Sequence, residues 1–369
     1  MGIVATSVIS VGGVSFSITM VALSLTSGQY GPKVLRQFLS SVSSKVSLGL
    51  FFSTALFAVA IFIGMGSAEV PRLSVLTAIA LAGLSLLEFM RFVHRTTSDL
   101  QADKIIQRLG EELRNHLLKL VDEERGDAPR RSRGSRQWRA LSRGVQRHTA
   151  ASKKSGYVQT IDYHGALECL RLADATAILA VHPGNFVVAG QQLFTVWVDA
   201  GSDISNLQGQ LLRSVTTGEI RTSVEDPQFP ITQIQQIAAR ALSPGVNDPG
   251  TAISCIDSIT QAFAVVMSAE FPGATLLDEE DSPRLLTLST GFTHLVDFTF
   301  SPLRLMTGTN LTVANCLLDS LLQLIRLTDV ADRREPLLRQ GELLMDSVRR
   351  HGFSDFDLRE LECRFRRLR

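Results

Sequence analysis

The chain has 369 residues, of which 45% are hydrophobic, and a formal net charge of +1 at pH 7. A charge so close to zero indicates no particular class of partner for the protein as a whole. The four cysteines lie far apart and have no histidine at ligand spacing, which is typical of reduced, buried thiols in a cytosolic domain. We therefore predict no metal site and no cofactor.

Three long apolar segments lie in the first part of the chain, at 3–26, 46–67 and 72–93. A helix needs roughly 20 mostly apolar residues to cross a hydrocarbon core about 30 Å thick. The third segment reaches that length if Glu88 lies at the membrane interface and pairs with Arg91, one helical turn away. Residues 1–95 are therefore predicted to form a transmembrane helix bundle with three spans.

The distribution of basic residues predicts how these spans are oriented. The loop after the first segment holds Lys33, Arg36 and Lys45 and no acidic residue, and Arg91 and Arg95 flank the end of the third segment. Positive residues stay on the cytoplasmic side of a membrane. We therefore expect a multi-pass protein whose first loop and C-terminal domain are cytoplasmic and whose N-terminus is outside.

The first predicted span carries small residues four positions apart, at Gly13 and Ser17, Ser15 and Thr19, and Ala22 and Thr26. This spacing lets transmembrane helices approach closely. It favours helix packing, within one subunit or in a homo-oligomer, over the alternative of a polar pore lining.

An amphipathic helix and a basic segment follow the membrane region. Apolar residues recur every three or four positions through 98–124, which predicts a stalk helix that packs on the domain below it or on a second subunit. Residues 125–154 hold ten basic residues and one acid, Asp127. We interpret them as a flexible basic linker that can contact anionic lipid. Because base-stacking aromatics are absent nearby, nucleic-acid binding is not favoured.

Residues 155–200 have the short alternating runs of a small β-rich subdomain. Strands are expected at 157–161, 177–181, 186–188 and 193–198, with a turn at 182–185. The glycine spacing is similar to that of barrel-sandwich domains, although no lysine lies where a lipoyl or biotinyl group would attach. Residues 215–369 are predicted to be mainly helical, including a helix at 286–305. The expected fold is thus an α+β membrane protein.

The most distinctive local pattern lies at 221–257. A helix with an apolar face ends at Pro244 and Gly245, and a second helix begins with Asp248 as its N-cap and Pro249 in its first turn. The loop either only caps these helices or binds an anion at the free N–H groups of a helix start. The candidate ligand-binding residues are Arg221, Asp226, Arg240, Ser243, Asn247, Asp248 and Thr251.

Five strings of the chain carry a resemblance to a known family; they lie at 16–19, 27–32, 155–162, 225–229 and 240–249. Together they resemble the bacterial predicted membrane proteins known as domain of unknown function 2254. The resemblance covers nearly the whole chain and implies the bacterial inner membrane. It also implies an additional span before the first one here, which would place the N-terminus inside. The family has no assigned reaction, so the resemblance implies topology more than function.

The leading hypothesis is an integral membrane protein with a cytosolic regulatory or ligand-sensing domain, including the case of an oligomeric channel or transporter. The alternatives are a membrane-anchored enzyme with a site at the 243–249 loop and a membrane-tethered scaffold. No G-x-S-x-G, H-E-x-x-H or phosphate-cradling motif is present in the sequence. A protein that is not an enzyme is therefore favoured.

Overall fold

A computed structural model describes residues 6–7, 9–14, 17–18, 20–21, 42–64, 72–99, 101–121, 131–132, 146–199, 204–287 and 291–366. The chain divides into two compact units, Met1–Gln107 and Arg108–Arg369. The loop with Lys33 and Arg36 lies outside the described residues, as do 133–145 of the predicted linker and two of the three small-residue pairs of the first span.

The first unit contains two long helices that pack against each other, α1 (Val42–Gly64) and α2 (Arg72–Asp99). The Oγ1 atom of Thr54 lies 3.1 Å from the Oγ atom of Ser85, and the Ser47 hydroxyl donates to Glu88 Oε1 at 2.7 Å. The contact face therefore holds hydroxyl groups.

The outer surface of α1 and α2 is apolar. Leu56 and Leu73 are 69% and 77% exposed, whereas the hydroxyl residues between the helices are buried. Phe51 packs inside and Phe52 points outward. Within the described residues one helix, Arg72–His94, is long and apolar enough to cross a membrane, and the apolar stretch Gly49–Ile61 of α1 is shorter. A bundle of three spans is thus not shown.

The helix predicted as a stalk is α3 (Ala102–Val121). Its residues Leu113 and Leu117 are fully buried, and a side chain at Gly110 would collide with Ser258. The part of this helix from Arg108 onward therefore belongs to the second unit and packs inside it.

The remaining helices of the second unit are α4 (Tyr163–Leu172), α5 (Ile204–Arg213), α6 (Gln228–Ala241), α7 (Pro249–Ala264), α8 (Phe292–Thr307), α9 (Leu311–Arg326), α10 (Ala331–Arg350) and α11 (Asp355–Arg366). Contacts among α6 to α10 form a helical layer with Phe263 and Phe300 in its core, ring centroids 5.3 Å apart. The predicted helix at 286–305 begins only at Phe292, because Leu286 belongs to a strand.

The strands are β1 (Arg131–Ser132), β2 (Gln146–Ala151), β3 (Gly156–Ile161), β4 (Thr176–Leu179), β5 (Phe186–Val187), β6 (Gln192–Val198), β7 (Val215–Gly218), β8 (Thr275–Leu277) and β9 (Pro283–Thr287). They form a six-stranded sheet in the order β1-β8-β9-β4-β6-β2 and a three-stranded sheet in the order β5-β3-β7. The described strands close no barrel, so the predicted barrel-sandwich is wrong: distant strands β8 and β9 extend the sheet instead.

The basic segment also differs from the prediction at both described pieces. Residues of β2 pair antiparallel with β6, with Thr149 opposite Thr195, and β1 pairs with β8. Ala150 is buried while Arg147 is exposed, so β2 alternates between core and solvent as an edge strand does. Because basic residues dominate 125–154, this short alternation of buried and exposed residues was not recognised in the sequence.

Candidate functional site

A cleft of about 490 Å³ opens in the second unit, within the size range of small-molecule sites. Residues from seven separate parts of this unit line it: His116, Lys119, Leu120, Arg131, Tyr163, His182, Pro183, Val224, Glu225, Pro227, Pro272 and Thr287. Proline and aliphatic side chains supply apolar walls, and charged or hydrogen-bonding groups lie among them.

One wall of the cleft is the 221–227 segment, which a buried ion pair holds in place. Arg221 Nε donates to Asp226 Oδ2 at 2.6 Å, and the Gln228 N–H donates to Asp226 Oδ1 at 2.9 Å. The Asp226 side chain is 1% exposed. This pair fixes the ends of the segment that presents Val224 and Glu225 to the cleft.

The turn 182–185 forms the adjoining wall. Gly184 has φ +90°, and a side chain there would collide with the Asp226 carboxylate, so the position requires glycine. The turn is tied to β3 by the Gly184 N–H, which donates to the Val158 carbonyl at 2.8 Å. The turn is therefore bonded to β3 and packs against Asp226 of the 221–227 segment.

His182 has neighbours at both ring nitrogens. Its Nδ1 lies 2.8 Å from the Pro183 carbonyl, and its Nε2 lies 3.2 Å from Asn185 Nδ2. A carbonyl only accepts, so Nδ1 carries the proton and Nε2 accepts from the amide. This histidine thus maintains the turn and has no free lone pair to act as a base.

Lys119 and Arg131 bring positive charge to the cleft. Lys119 lies near the end of α3, and Arg131 comes from β1, where its Cζ lies 5.7 Å from the centre of the Tyr163 ring. Arg131 Nη1 donates to the Gly273 carbonyl at 3.4 Å. The planar guanidinium is thus held near the aromatic face.

Burial alters the titration of three other lining groups. It raises the pKa of Tyr163 to about 12, so the phenol stays protonated and can donate. Burial also raises the pKa of Glu225, whose carboxylate accepts from the Ile161 N–H at 3.0 Å. It lowers the pKa of His116, against the opposing charges of Glu112 and Asp226. The imidazole hydrogen-bonds to the backbone of Ser223.

These groups suit binding better than turnover. The cleft offers two cations, a protonated phenol and apolar walls, and one carboxylate that is already hydrogen-bonded. Across the described ranges, no group of three or more His, Cys, Asp or Glu side chains is placed to hold a metal ion.

The seven residues proposed from the sequence fall into two groups. Arg221 and Asp226 lie behind the cleft wall, at the start of α6. The other five lie at or beyond the far end of α6: Arg240, Ser243, Asn247, Asp248 and Thr251. The 14 residues of this helix span about 20 Å.

The distal group forms a self-contained loop. The Ser243 hydroxyl donates to the Arg240 carbonyl at 2.6 Å, and Asp248 Oδ1 accepts from the Thr251 N–H at 3.1 Å. Asp248 is the N-cap of α7 and Pro249 its first residue, as predicted. Hydrogen bonds from Thr251 lower the pKa of Asp248. Asn247 has φ +46°, which asparagine tolerates better than most residues.

The sequence did not identify His116, Lys119, Arg131 or Tyr163 as site residues. They belong to a helix interpreted as a stalk, to a segment interpreted as a linker and to the start of a short helix. Only tertiary contacts bring them together. Glu225 was part of a distinctive string, and its neighbour Asp226 was chosen instead.

Residues 1–323 match the model of a family described as predicted membrane protein, domain of unknown function 2254. The chain belongs to this family. The family match includes every residue of the cleft. The resemblance that the five strings indicated is thus confirmed.

Two relatives are uncharacterised proteins of Mycobacterium tuberculosis and Mycobacterium bovis. Each is 30% identical to this chain over 282 residues, which cover 73% of the chain and 52% of the relative. The chain thus spans about half the length of the curated relatives that it matches. No solved structure matches it.

Proposed function

We propose that this member of the family is a membrane-anchored ligand-binding protein whose C-terminal unit takes a small organic anion in the cleft. The observation that carries the proposal is the pairing of Lys119 and Arg131 with apolar walls in one cavity of about 490 Å³. Cations orient an acidic group, and the apolar walls bury the body of the ligand.

The same proposal includes the topology indicated by the sequence. We place the C-terminal unit on the cytoplasmic side of a multi-pass protein in the bacterial inner membrane, assembled as a homo-oligomer, with the basic segment near anionic lipid. The basic loop and the small-residue pairs support it. A fluorescent protein fused after residue 369 should fluoresce, since green fluorescent protein matures in the cytoplasm and not after export in unfolded form.

Binding is tested with the full chain in detergent and two probes of nearly equal shape. Benzoate carries the charge that the cleft should recognise, and benzamide lacks it. At ten times its dissociation constant a ligand stabilises the folded state by about 1.4 kcal/mol. Benzoate should therefore raise the melting temperature by a few degrees, and benzamide should raise it less.

Two substitutions assign the response to the cleft. Lys119→Gln and Arg131→Gln should remove most of the difference between benzoate and benzamide. Arg359→Gln is the control, because Arg359 is an exposed residue of α11 that does not line the cleft. An unchanged benzoate response in both cleft variants would contradict the proposal.

The same samples separate a ligand-binding protein from an enzyme. A probe recovered unchanged by NMR after prolonged incubation supports binding without turnover. Chemical conversion of the probe would instead support the alternative that the protein is an enzyme. A scaffold that binds no small molecule would give no thermal response to either probe.

A further inference from the structure

A second cavity, of about 190 Å³, lies between the turn that follows β2 and the helix α5. We call it the basic notch and define it by Lys153, Lys154, Gly209 and Arg213, which are among its lining residues. The first two residues come from the turn and the last two from α5, so the notch is formed by two elements that are distant in sequence.

The turn holds its two lysines in a fixed backbone geometry. The Ser152 hydroxyl donates to the Lys154 carbonyl at 2.7 Å, and the Ser152 N–H donates to the Gln191 carbonyl at 2.8 Å. The backbone that carries Lys153 and Lys154 is therefore anchored to the sheet, although the lysine side chains themselves are exposed.

The α5 side of the notch is open because Gly209 has no side chain. A Cβ atom at this position would lie 3.9 Å from Arg213 Nη2, so the guanidinium lies across the glycine. At the end of the helix, the Ser214 N–H donates to the Gln210 carbonyl and its hydroxyl to the Leu211 carbonyl. These bonds satisfy two of the carbonyl groups at the C-terminal end of α5.

The charges of the notch all have one sign. Three cations line it, and no carboxylate is among its lining residues in the part of the chain that the structure describes. None of the three cations forms an ion pair with a described residue. An anion would therefore meet uncompensated positive charge without having to displace a protein carboxylate.

We propose that the basic notch binds a phosphate group. A phosphate presents several acceptor oxygens, which suit two ammonium groups and a guanidinium fork. The site is separate from the cleft and from its ligand, and only the choice of a lipid as the source of the phosphate rests on the lipid contact proposed above for the basic segment.

Two sources can supply this phosphate, the headgroup of an anionic lipid or a soluble phosphate ester. Lys153 and Lys154 are the last of the ten basic residues between 125 and 154, a stretch with a single acid. A run of this kind draws a protein toward anionic phospholipid, so we favour the headgroup of the lipid as the source.

The test measures dissociation constants by calorimetry, with the full chain in detergent. The probes are dihexanoyl phosphatidylglycerol, dihexanoyl phosphatidylcholine and glycerol 3-phosphate. Phosphatidylglycerol should bind more tightly than phosphatidylcholine, whose choline group would face the three cations. Tight binding of phosphatidylglycerol alone assigns the site to lipid, and equally tight binding of glycerol 3-phosphate assigns it to a soluble ester.

A matched pair of variants locates the binding. Gly209→Glu places a carboxylate beside Arg213 and should weaken phosphate-probe binding about tenfold. Gly209→Gln adds a side chain of the same size without charge and should weaken binding much less. Equal effects of the two substitutions would overturn the proposal, as would equal binding of the two lipids.

A second variant covers the case in which Gly209→Glu fails to fold. Lys154→Gln alters an exposed side chain and should weaken binding of the phosphate probe by about threefold, as expected for one exposed charge. Arg359→Gln again serves as the control. Unchanged affinity in Lys154→Gln, with wild-type melting temperature, would also overturn the proposal.

Discussion

The two units of this protein differ in the apolar surface that they leave exposed. On α1 and α2 large aliphatic side chains such as Leu56 and Leu73 face outward, whereas Phe51 and the hydroxyls of Thr54 and Ser85 are buried. In the second unit the large side chains of Phe263 and Phe300 are fully buried. The clearest contrast is therefore the exposed apolar face of the α1–α2 pair.

The exposed apolar face of α1 and α2 suits a hydrocarbon solvent, whereas apolar burial in the second unit is typical of folding in water. In hydrocarbon, apolar side chains gain little from burial, so helices associate through small residues and hydroxyl hydrogen bonds. In water, the removal of apolar surface drives folding. The α1–α2 pair matches the first case and the second unit the second, in agreement with membership of a family of predicted membrane proteins.

A large effect is expected at a buried ion pair of the second unit, Arg221–Asp226. Asp226→Asn leaves the Arg221 charge without its partner and should lower the free energy of unfolding by about 3 kcal/mol. Denaturant unfolding of the full chain in detergent measures it. Glu168→Gln is the control, because it breaks the pair of Glu168 with Arg171, whose side chains are 50% and 33% exposed. A loss of similar size in both variants would show that burial is not the cause.

A second prediction compares one substitution in both units. Leu317 is fully buried and Leu76 is 65% exposed. Leu317→Ala should cost about 2–5 kcal/mol of unfolding free energy. Leu76→Ala should cost less than about 0.5 kcal/mol, since detergent surrounds this position before and after unfolding. The comparison fails if the two losses, measured in the same detergent, are equal.

A smaller effect is expected for the hydroxyl pair between α1 and α2. Ser85→Ala removes one partner of Thr54 and should destabilise the helix pair by about 0.6 kcal/mol, and by no more than about 1.7 kcal/mol. Unfolding in sodium dodecyl sulfate is the measurement. Thr77→Ala is the control, because the Thr77 hydroxyl bonds only to its own helix at Leu73. A larger loss for Thr77→Ala would contradict the role of the interhelical bond.

The smallest effect is a pH dependence in the second unit. Burial lowers the pKa of His116 below its ordinary value of 6.5. Between the two pKa values the unfolded chain binds more protons than the folded one, so stability falls as the pH drops below 6.5 toward the folded-state pKa. His116→Gln should reduce this acid sensitivity in unfolding experiments from pH 8 to pH 5. An identical pH profile in the variant would show that other groups cause it.

Local signals in the sequence predicted the elements that depend on neighbouring residues. Asp248 followed by Pro249 predicted the start of α7, where Asp248 accepts from the Thr251 N–H. The chemistry of a cap or a turn acts over about four residues, so one sequence is sufficient to find it.

The sheet and the cleft depend on contacts between residues far apart in the chain. β4 pairs with β9 across more than 100 residues, with Ala177 opposite Leu285, and no local pattern records such a partner. The contact between Arg131 and Tyr163 is also long-range. The residues directly next to Arg131 are polar or basic, so they show no strand pattern that would place it there. The basic composition of 125–154 thus predicted positive charge but suggested a flexible linker where the structure has strands.

The packing of Gly184 against Asp226 has a consequence for how such sequences can diverge. Two features exclude other residues from position 184: its positive φ and the adjacent Asp226 carboxylate. Position 226 is constrained in turn by Arg221. Val224 lies between these fixed anchors and is 62% exposed, so substitutions at this position can change the wall of the cleft without disturbing the backbone that carries it.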